Sequence, residues 1–476
     1  MKKYLYISIF AIGALFSSCD DNLDKTPFSS VGENDALTSE IAFENATLGL
    51  YTLAISPSYY GEEMMSFPDV ISDNLIFSAE GRGTQKAYHE WQFNENITKG
   101  GFMAQAYAVV RHANFILDNI DNIPQTPARD HIQAQALAMR ALSHFNITNT
   151  FSKIPTQDAG ALSSLGMPYV TSSDILQEPG SRGTVEAIYN GIINDLETAK
   201  NLVGADDIIK INKNAINGLL SRVYLYRGMY AEAAAAADDV TASVATFGNF
   251  PGVWDDSSDD GVLFKLKNLD ADTGVSVNTP YSQTVSSGVR SEYVVDFDLF
   301  NLYGGTDIRK ATYVETSAYN GKNYNHVAKH MESSINLGSG VVDIKVIRMA
   351  EVMLNKAEAL AMPGPAQDEA AALAALDAVR SQRYSSFVSG NETGQPLLDA
   401  IALERRLELA FEGHRFYDIK RSGEGINRSG AGQYADGTGL ATLFTTLPAG
   451  DCKFQLPIPK TEMDVNPNME QNPCYN

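Results

Sequence analysis

Basic residues are the first scarcity: 36 Lys and Arg face 58 Asp and Glu, a formal charge of -22 over 476 residues. No stripe of cations exists to release counterions from phosphates, which argues against nucleic acid as a partner. Beyond residue 16 no apolar run approaches membrane-spanning length, so any hold on a membrane has to come from something other than a spanning helix. Gly-x-Ser-x-Gly elbows, Walker loops and dinucleotide fingerprints are absent, which removes the usual warrants for an enzyme. Tryptophan occurs twice and cysteine three times.

What is present begins at the N-terminus. Lys2 and Lys3 precede an apolar stretch from Tyr4 to Phe16, too short to cross a hydrocarbon core of roughly 30 Å but suited to an export signal. Phe16-Ser17-Ser18-Cys19 places small residues before the first cysteine, the arrangement a lipoprotein signal peptidase needs. Residues 1–18 are therefore expected to be removed and Cys19 lipidated; the alternative is an ordinary signal with an incidental cysteine. Several acyl chains on one residue anchor stably, since each buried methylene contributes about 0.8 kcal/mol. Residues 19–36, with Asp20, Asp21 and Asp24, read as a flexible tether. Order is expected from Leu37, in a single domain spanning 37–476.

Within that domain the apolar spacing is helical over Phe102–Asn119, Arg129–Phe151, Thr184–Val203, Asn214–Arg227 and Tyr230–Val240. The layout from Leu220 to Ala233, broken at Gly228, is similar to a tetratricopeptide hairpin, and one such hairpin needs neighbours to bury its face. Helix is expected again over Asp343–Met362, up to about Tyr384, and from Pro396 toward Arg421. The fold class is mainly α: a scaffold of helical hairpins over about 100–245 and 343–421. A loop-rich insert with short strands fills about 247–342, and a proline-rich tail covers 447–476. Cys452 and Cys474 in that tail either pair, stabilising by about 3 kcal/mol, or stay reduced and buried.

Three segments carry a resemblance. Arg140-Ala141-Leu142-Ser143-His144-Phe145 leads to Phe151 and Pro155; Ile347 to Leu360 reads IRMAEVMLNKAEAL; Glu404 to Arg421 reads ERRLELAFEGHRFYDIKR, followed by Leu456-Pro457-Ile458-Pro459 and Asn472-Pro473. In this order, behind a lipoprotein signal, the chain resembles the SusD/RagB family of Bacteroidetes outer-membrane lipoproteins. The resemblance implies an α-α superhelix and no catalysis, and no cofactor is expected. It also implies a surface position beside a SusC-like TonB-dependent transporter and a nutrient ligand, commonly an oligosaccharide. The family pattern usually has Gly where Cys474 stands.

Sugars offer apolar C–H faces edged by hydroxyls, so their sites need aromatic platforms beside amide, carboxylate or guanidinium groups. Carry-over from starch-binding relatives points to Trp91 with Asn94, and to Asp73, Asn74 and Arg82 just upstream. The alternative for Trp91 is a core anchor. Tyr281, Tyr319 and Tyr324 in the insert are expected to complete an aromatic arc, while Trp254 is assigned to the core.

Charged stripes need a structural reading beside the catalytic one. Arg405, Glu408, Glu412 and Arg415 are spaced three, four and three apart, so a helix would carry each acid within reach of an arginine and the stripe would neutralise itself. Arg348, Glu351, Asn355 and Glu358 would pair in the same way. His326 and His330 have a spacing able to share a metal, though a satisfied or solvated pair is favoured. Asp256, Ser258, Asp260 and Gly261 match half a calcium loop whose twelfth position is Lys267, so calcium is weakly supported. Two other functions stay open: a surface glycan hydrolase, needing two carboxylates across one cleft, and an adhesin-like lipoprotein that binds protein.

Overall fold

The computed structural model describes residues 37–204, 207–269, 274–285, 288–331 and 340–475. The signal segment, Cys19 and the tether lie outside the described residues. The first part of the chain is helical: α1 (Glu40–Ala54), α2 (Glu63–Val70), the short α3 (Lys86–His89), α4 (Gly100–Asn119), α5 (Pro127–Phe151), α6 (Val185–Leu202), α7 (Lys213–Arg227) and α8 (Tyr230–Asp238).

Local chemistry sets these boundaries. Thr126 accepts from Arg129 N at 3.1 Å ahead of Pro127, Thr184 from Ala187 N at 3.1 Å, and Asn212 from Ala215 N at 2.9 Å, each satisfying a first-turn amide that the helix cannot. Gly228, at φ +79°, closes α7 in the left-handed region. Successive helices pack as neighbours, α4 on α5, α5 on α6, α6 on α7 and α7 on α8, so each apolar face is covered by the next helix. Phe145, Tyr189, Leu219 and Tyr226 are among the buried residues of that continuous core.

Short antiparallel ladders join the insert to the rest of the chain: β1 (Leu75–Phe77) pairs with β5 (Tyr293–Val295), and β2 (Val262–Leu266) with β8 (Ile344–Arg348). A four-stranded sheet runs in the order β3 (Gln283–Val285), β4 (Gly288–Arg290), β6 (Val314–Tyr319), β7 (Lys322–Val327). Two short helices, α9 (Phe297–Leu302) and α10 (Ile308–Tyr313), lie between. They share a second core with Phe250, Trp254 and Phe411, where Trp254 meets Tyr313 edge-on at 5.7 Å. The scaffold then resumes with α11 (Met349–Ala361), α12 (Glu369–Arg380), α13 (Gly394–Leu409) and α14 (Arg415–Ser422). A small β9–β10 ladder (Ile426–Asn427, Thr446–Leu447) and α15 (Lys460–Val465) complete the chain.

Two expected helices are corrected. The segment starting at Asp343 opens as a strand, because Ile344, Val346 and Ile347 are β-branched and find a partner ladder in β2. The helix expected from Pro396 toward Arg421 is broken after Leu409. Phe411 (φ +66°) and Gly413 (φ +81°) turn the chain, and a Cβ at 413 would collide with the Met64 carbonyl oxygen, so only glycine fits there.

Candidate ligand-binding site

Because α13 ends before Glu412, the charged stripe does not neutralise itself. Its partners come from elsewhere. Glu408 accepts from Arg383 at 2.9 and 3.0 Å, from Arg348 at 2.9 Å and from Arg309 at 3.3 Å. Glu412 accepts from Arg348 Nε at 2.8 Å and Lys329 Nζ at 2.6 Å. Arg405 donates to Asp418 at 2.8 Å and Asn355 at 2.6 Å, and Arg415 to Asp73 at 2.7 and 2.8 Å. The second stripe is dispersed likewise, with Glu351 held by Arg222 at 2.6 Å and Glu358 by Arg421. Burial opposes ionisation of both Glu408 and Glu412, but the surrounding cations outweigh it. Glu408 is held well below the usual carboxylate range and Glu412 at about 2, so neither can serve as a general acid near neutral pH.

Most of the upstream residues expected to touch ligand are internal. Trp91 is 3% exposed, donates its indole N–H to Ile71 O at 2.9 Å and carries the Arg428 guanidinium 4.1 Å over its ring. It is a core anchor with no stacking face to offer. Asp73 and Asn74 are buried as well: Asp73 binds Arg415, while Asn74 donates to Asp69 at 2.7 Å and accepts from Arg406 at 2.9 Å. Asn94 closes its own turn by accepting from Asn96 N at 2.9 Å. Tyr281 is buried, with its hydroxyl donating to Met65 O at 3.2 Å.

The histidines also diverge. His326 Nδ1 lies 2.6 Å from Ser291 Oγ and His330 Nε2 lies 2.7 Å from Phe411 O. In the acidic turn, Asp256 pairs with Lys345 at 2.5 Å, whereas Asp260 accepts from Thr246 N at 2.9 Å; these acids face different partners. In the tail, Cys452 and Cys474 form a disulfide with Cα atoms 6.1 Å apart.

Arg82, Tyr319 and Tyr324 are brought to one region. The register of β6 and β7 sets Ser317 opposite Tyr324 and Tyr319 opposite Lys322, so these four share a face of the hairpin. Tyr324, expected to face ligand, is instead only 3% exposed and forms the buried base of the cluster, while Tyr319 and Tyr434 are half-buried beside it. The Tyr324 and Tyr434 rings meet edge-on at 5.4 Å, and Lys322 Nζ sits 5.2 Å over Tyr434. Burial, and then the nearby Glu80 carboxylate, push the Tyr324 hydroxyl up to about 12.

The loop that carries Glu80 is pinned on one side by Ala79 N donating to Gln433 at 2.8 Å. On the other side Arg82, half of whose side chain is exposed, grips the buried Glu292 at 2.7 and 2.9 Å. Thr84 N and Gln283 also donate to Glu292, at 2.8 and 3.0 Å. The result is a rigid polar floor beside tyrosine faces, with exposed Leu440 held next to it through Gln433 N at 3.0 Å. Sequence reasoning missed Tyr434 and Gln433. The available signal was an aromatic–amide pair inside the glycine-rich stretch from Gly430 to Gly439.

These features define a class: a helical-hairpin scaffold that presents a loop-and-strand insert edged with tyrosines. The family model described as SusD family matches residues 254–475, and a second, described as starch-binding associating with outer membrane, matches 21–225. The chain belongs to the SusD/RagB family. SusD-like protein P2 of Formosa agariphila is 24% identical over 525 residues, covering 100% of both chains. A SusD superfamily protein of Bacteroides thetaiotaomicron is 28% identical with a TM-score of 0.79, covering 91% of this chain and all of that one. A SusD-like carbohydrate-binding protein of Bacteroides vulgatus shares the fold at 23% identity and a TM-score of 0.77, covering 91% and 98%. Among the described residues no helix is long and apolar enough to cross a membrane.

Proposed function

We propose that the protein is a lipid-anchored, surface-exposed, non-catalytic subunit of the outer membrane. It captures an oligosaccharide and delivers it to a SusC-like TonB-dependent transporter. The observation that supports this reading is the cluster of half-buried Tyr319 and Tyr434 over the buried Tyr324, next to the loop that Ala79 N ties to Gln433 and the half-exposed Arg82 ties to Glu292. The Tyr319 and Tyr434 faces stack on the apolar side of a pyranose while the half-exposed Arg82 guanidinium meets its hydroxyls. A binding rather than a cleaving role is supported by the state of the carboxylates in the signature segment, which arginines hold ionised away from solvent. The anchor rests on Cys19 behind its export signal, and the family-model description supports association with the outer membrane.

Incubation of the mature protein with a panel of glycans tests the reading. Saturable binding without new reducing ends is expected. Release of sugar products, or the absence of binding across the panel, would overturn it.

A further inference from the structure

Asparagine is followed by glycine three times in the chain, at Asn190-Gly191, Asn217-Gly218 and Asn320-Gly321. Asparagine is thermolabile, and a glycine after it leaves the next main-chain nitrogen with no side chain to hinder its approach to the asparagine carboxamide. The fold treats the three pairs differently. Asn190 and Gly191 lie inside α6, and Asn217 and Gly218 inside α7, where each glycine N–H is committed to the carbonyl four residues back. Gly191 also faces the Tyr169 ring and Gly218 the Ile347 side chain. Asn217 is buried besides, with its side-chain amide donating to Asp239 O at 3.2 Å.

Asn320 and Gly321 form the two-residue turn between β6 and β7, with Tyr319 paired to Lys322 across it. Both stand at positive φ, +48° and +75°, as a tight hairpin turn requires and as Asn-Gly supplies. Both are exposed, and apart from the chain neighbours no atom lies within 4 Å of where a Cβ on Gly321 would be. Among the described residues neither the Asn320 side chain nor the Gly321 N–H has a hydrogen-bond partner. The carboxamide and the neighbouring nitrogen are therefore free to meet only at this turn.

We propose that Asn320 is a site of spontaneous covalent modification, deamidation through a cyclic imide. The Gly321 nitrogen gives up its proton to hydroxide and bonds to Asn320 Cγ; the Cγ–Nδ2 bond breaks and the side-chain nitrogen leaves as ammonia. Water then opens the ring. Opening at Cγ gives aspartate, and opening at the main-chain carbonyl gives isoaspartate, in which the chain runs through Cβ and Cγ. No electrons are gained or lost overall. Either product sets a carboxylate beside Lys322, and isoaspartate also lengthens a turn whose length fixes the pairing of Tyr319 with Lys322. That end of the ladder then opens. The chemistry does not depend on the glycan reading.

Ageing the mature protein in mildly alkaline buffer, with peptide mapping by mass spectrometry, tests it. Exchange of –NH2 for –OH is expected in the peptide holding Asn320 at least tenfold faster than in those holding Asn190 or Asn217. The rate should rise with pH, and enzymatic methylation of isoaspartyl groups should label the same peptide. Gly321→Ala should slow the exchange at Asn320 at least tenfold. Asn320→Gly, which keeps a residue at ease with positive φ in the turn, should abolish the isoaspartyl label with the unfolding midpoint unchanged. Modification of Asn320 no faster than that of the two helical asparagines, a rate that does not rise with pH, or an undiminished rate in Gly321→Ala would overturn the proposal.

Discussion

Arg415 and Asp73 form a bidentate pair at 2.7 and 2.8 Å that ties the segment after α13 to the loop before β1, 342 positions away in sequence. Arg406 joins from α13, 3.4 Å from the same carboxylate. Burial works against ionisation of Asp73, but the two guanidiniums more than offset it and hold the group at about 2.

The sign of the pH dependence follows. A carboxylate depressed in the folded state stabilises fully above its unfolded value and loses that contribution as pH falls through the folded one. Asp73, Glu412 and Asp418 all sit at about 2. We expect the unfolding midpoint to begin falling near pH 6.5, where the unfolded chain protonates histidines that burial keeps neutral in the fold (His89, His144 and His330 at about 3, His326 and His414 at about 4), and to go on falling as the carboxylates protonate down to about pH 2. In Asp73→Asn the fall should be shallower by about 2 kcal/mol. Thermal melts across that range check it, and an identical slope in the variant would refute the assignment.

Trp91 should behave as a core residue. Trp91→Ala removes its packing and its hydrogen bond to Ile71 O, and should cost about 3–5 kcal/mol of stability. Glycan affinity of the folded fraction should be unchanged, as comparison of denaturant unfolding with binding isotherms would reveal.

Tyr434 and Tyr319 should show the opposite profile. Each is half-buried at the edge of its cluster, so Tyr434→Ala or Tyr319→Ala should lower glycan affinity by about fivefold, in keeping with roughly 1 kcal/mol for an aromatic contact. The melting midpoint should move little. A large loss of stability with affinity retained would assign these rings to the core.

The disulfide gives a redox prediction. Cys452 and Cys474 are 22 positions apart, so reducing the bond should lower stability by about 3 kcal/mol. Unreduced mature protein should show no reactive thiol from this pair. Cys474 stands at φ +77°, in the left-handed region, where glycine is unstrained. Cys474→Gly should therefore recover part of the loss that Cys452→Ser suffers. Equilibrium unfolding of the two variants side by side decides this.

The helices of the scaffold were legible because their signals are local: Thr126, Thr184 and Asn212 mark starts and Gly228 a stop, each within a few residues of what it controls. The strand at Ile344 was less so, since a short β-branched run reads either way until β2 is beside it. The signature stripe misled for a related reason. Spacing of three and four implies a shared face only on an unbroken helix, and the turn at Phe411 and Gly413 removes that condition.

At the candidate site, Arg82, Tyr319 and Tyr324 were visible as residue types in exposed-type loops, whereas Tyr434 carried no spacing signal linking it to them. Its position depends on Ala435 N reaching Asn323 O at 2.8 Å, more than a hundred positions back. Trp91 and Tyr281 were drawn inward by acceptors at Ile71 and Met65 that no sequence pattern announces.

The amino-acid sequence by itself determined the acidic charge, the helical hairpins and the family, because each is written in composition or in residues a few positions apart. Tertiary structure alone decided which charges neutralise which and which aromatics are drawn into the core. Those outcomes depend on contacts between segments tens to hundreds of positions apart, whose energies arise only when folding brings the groups together and removes water from between them.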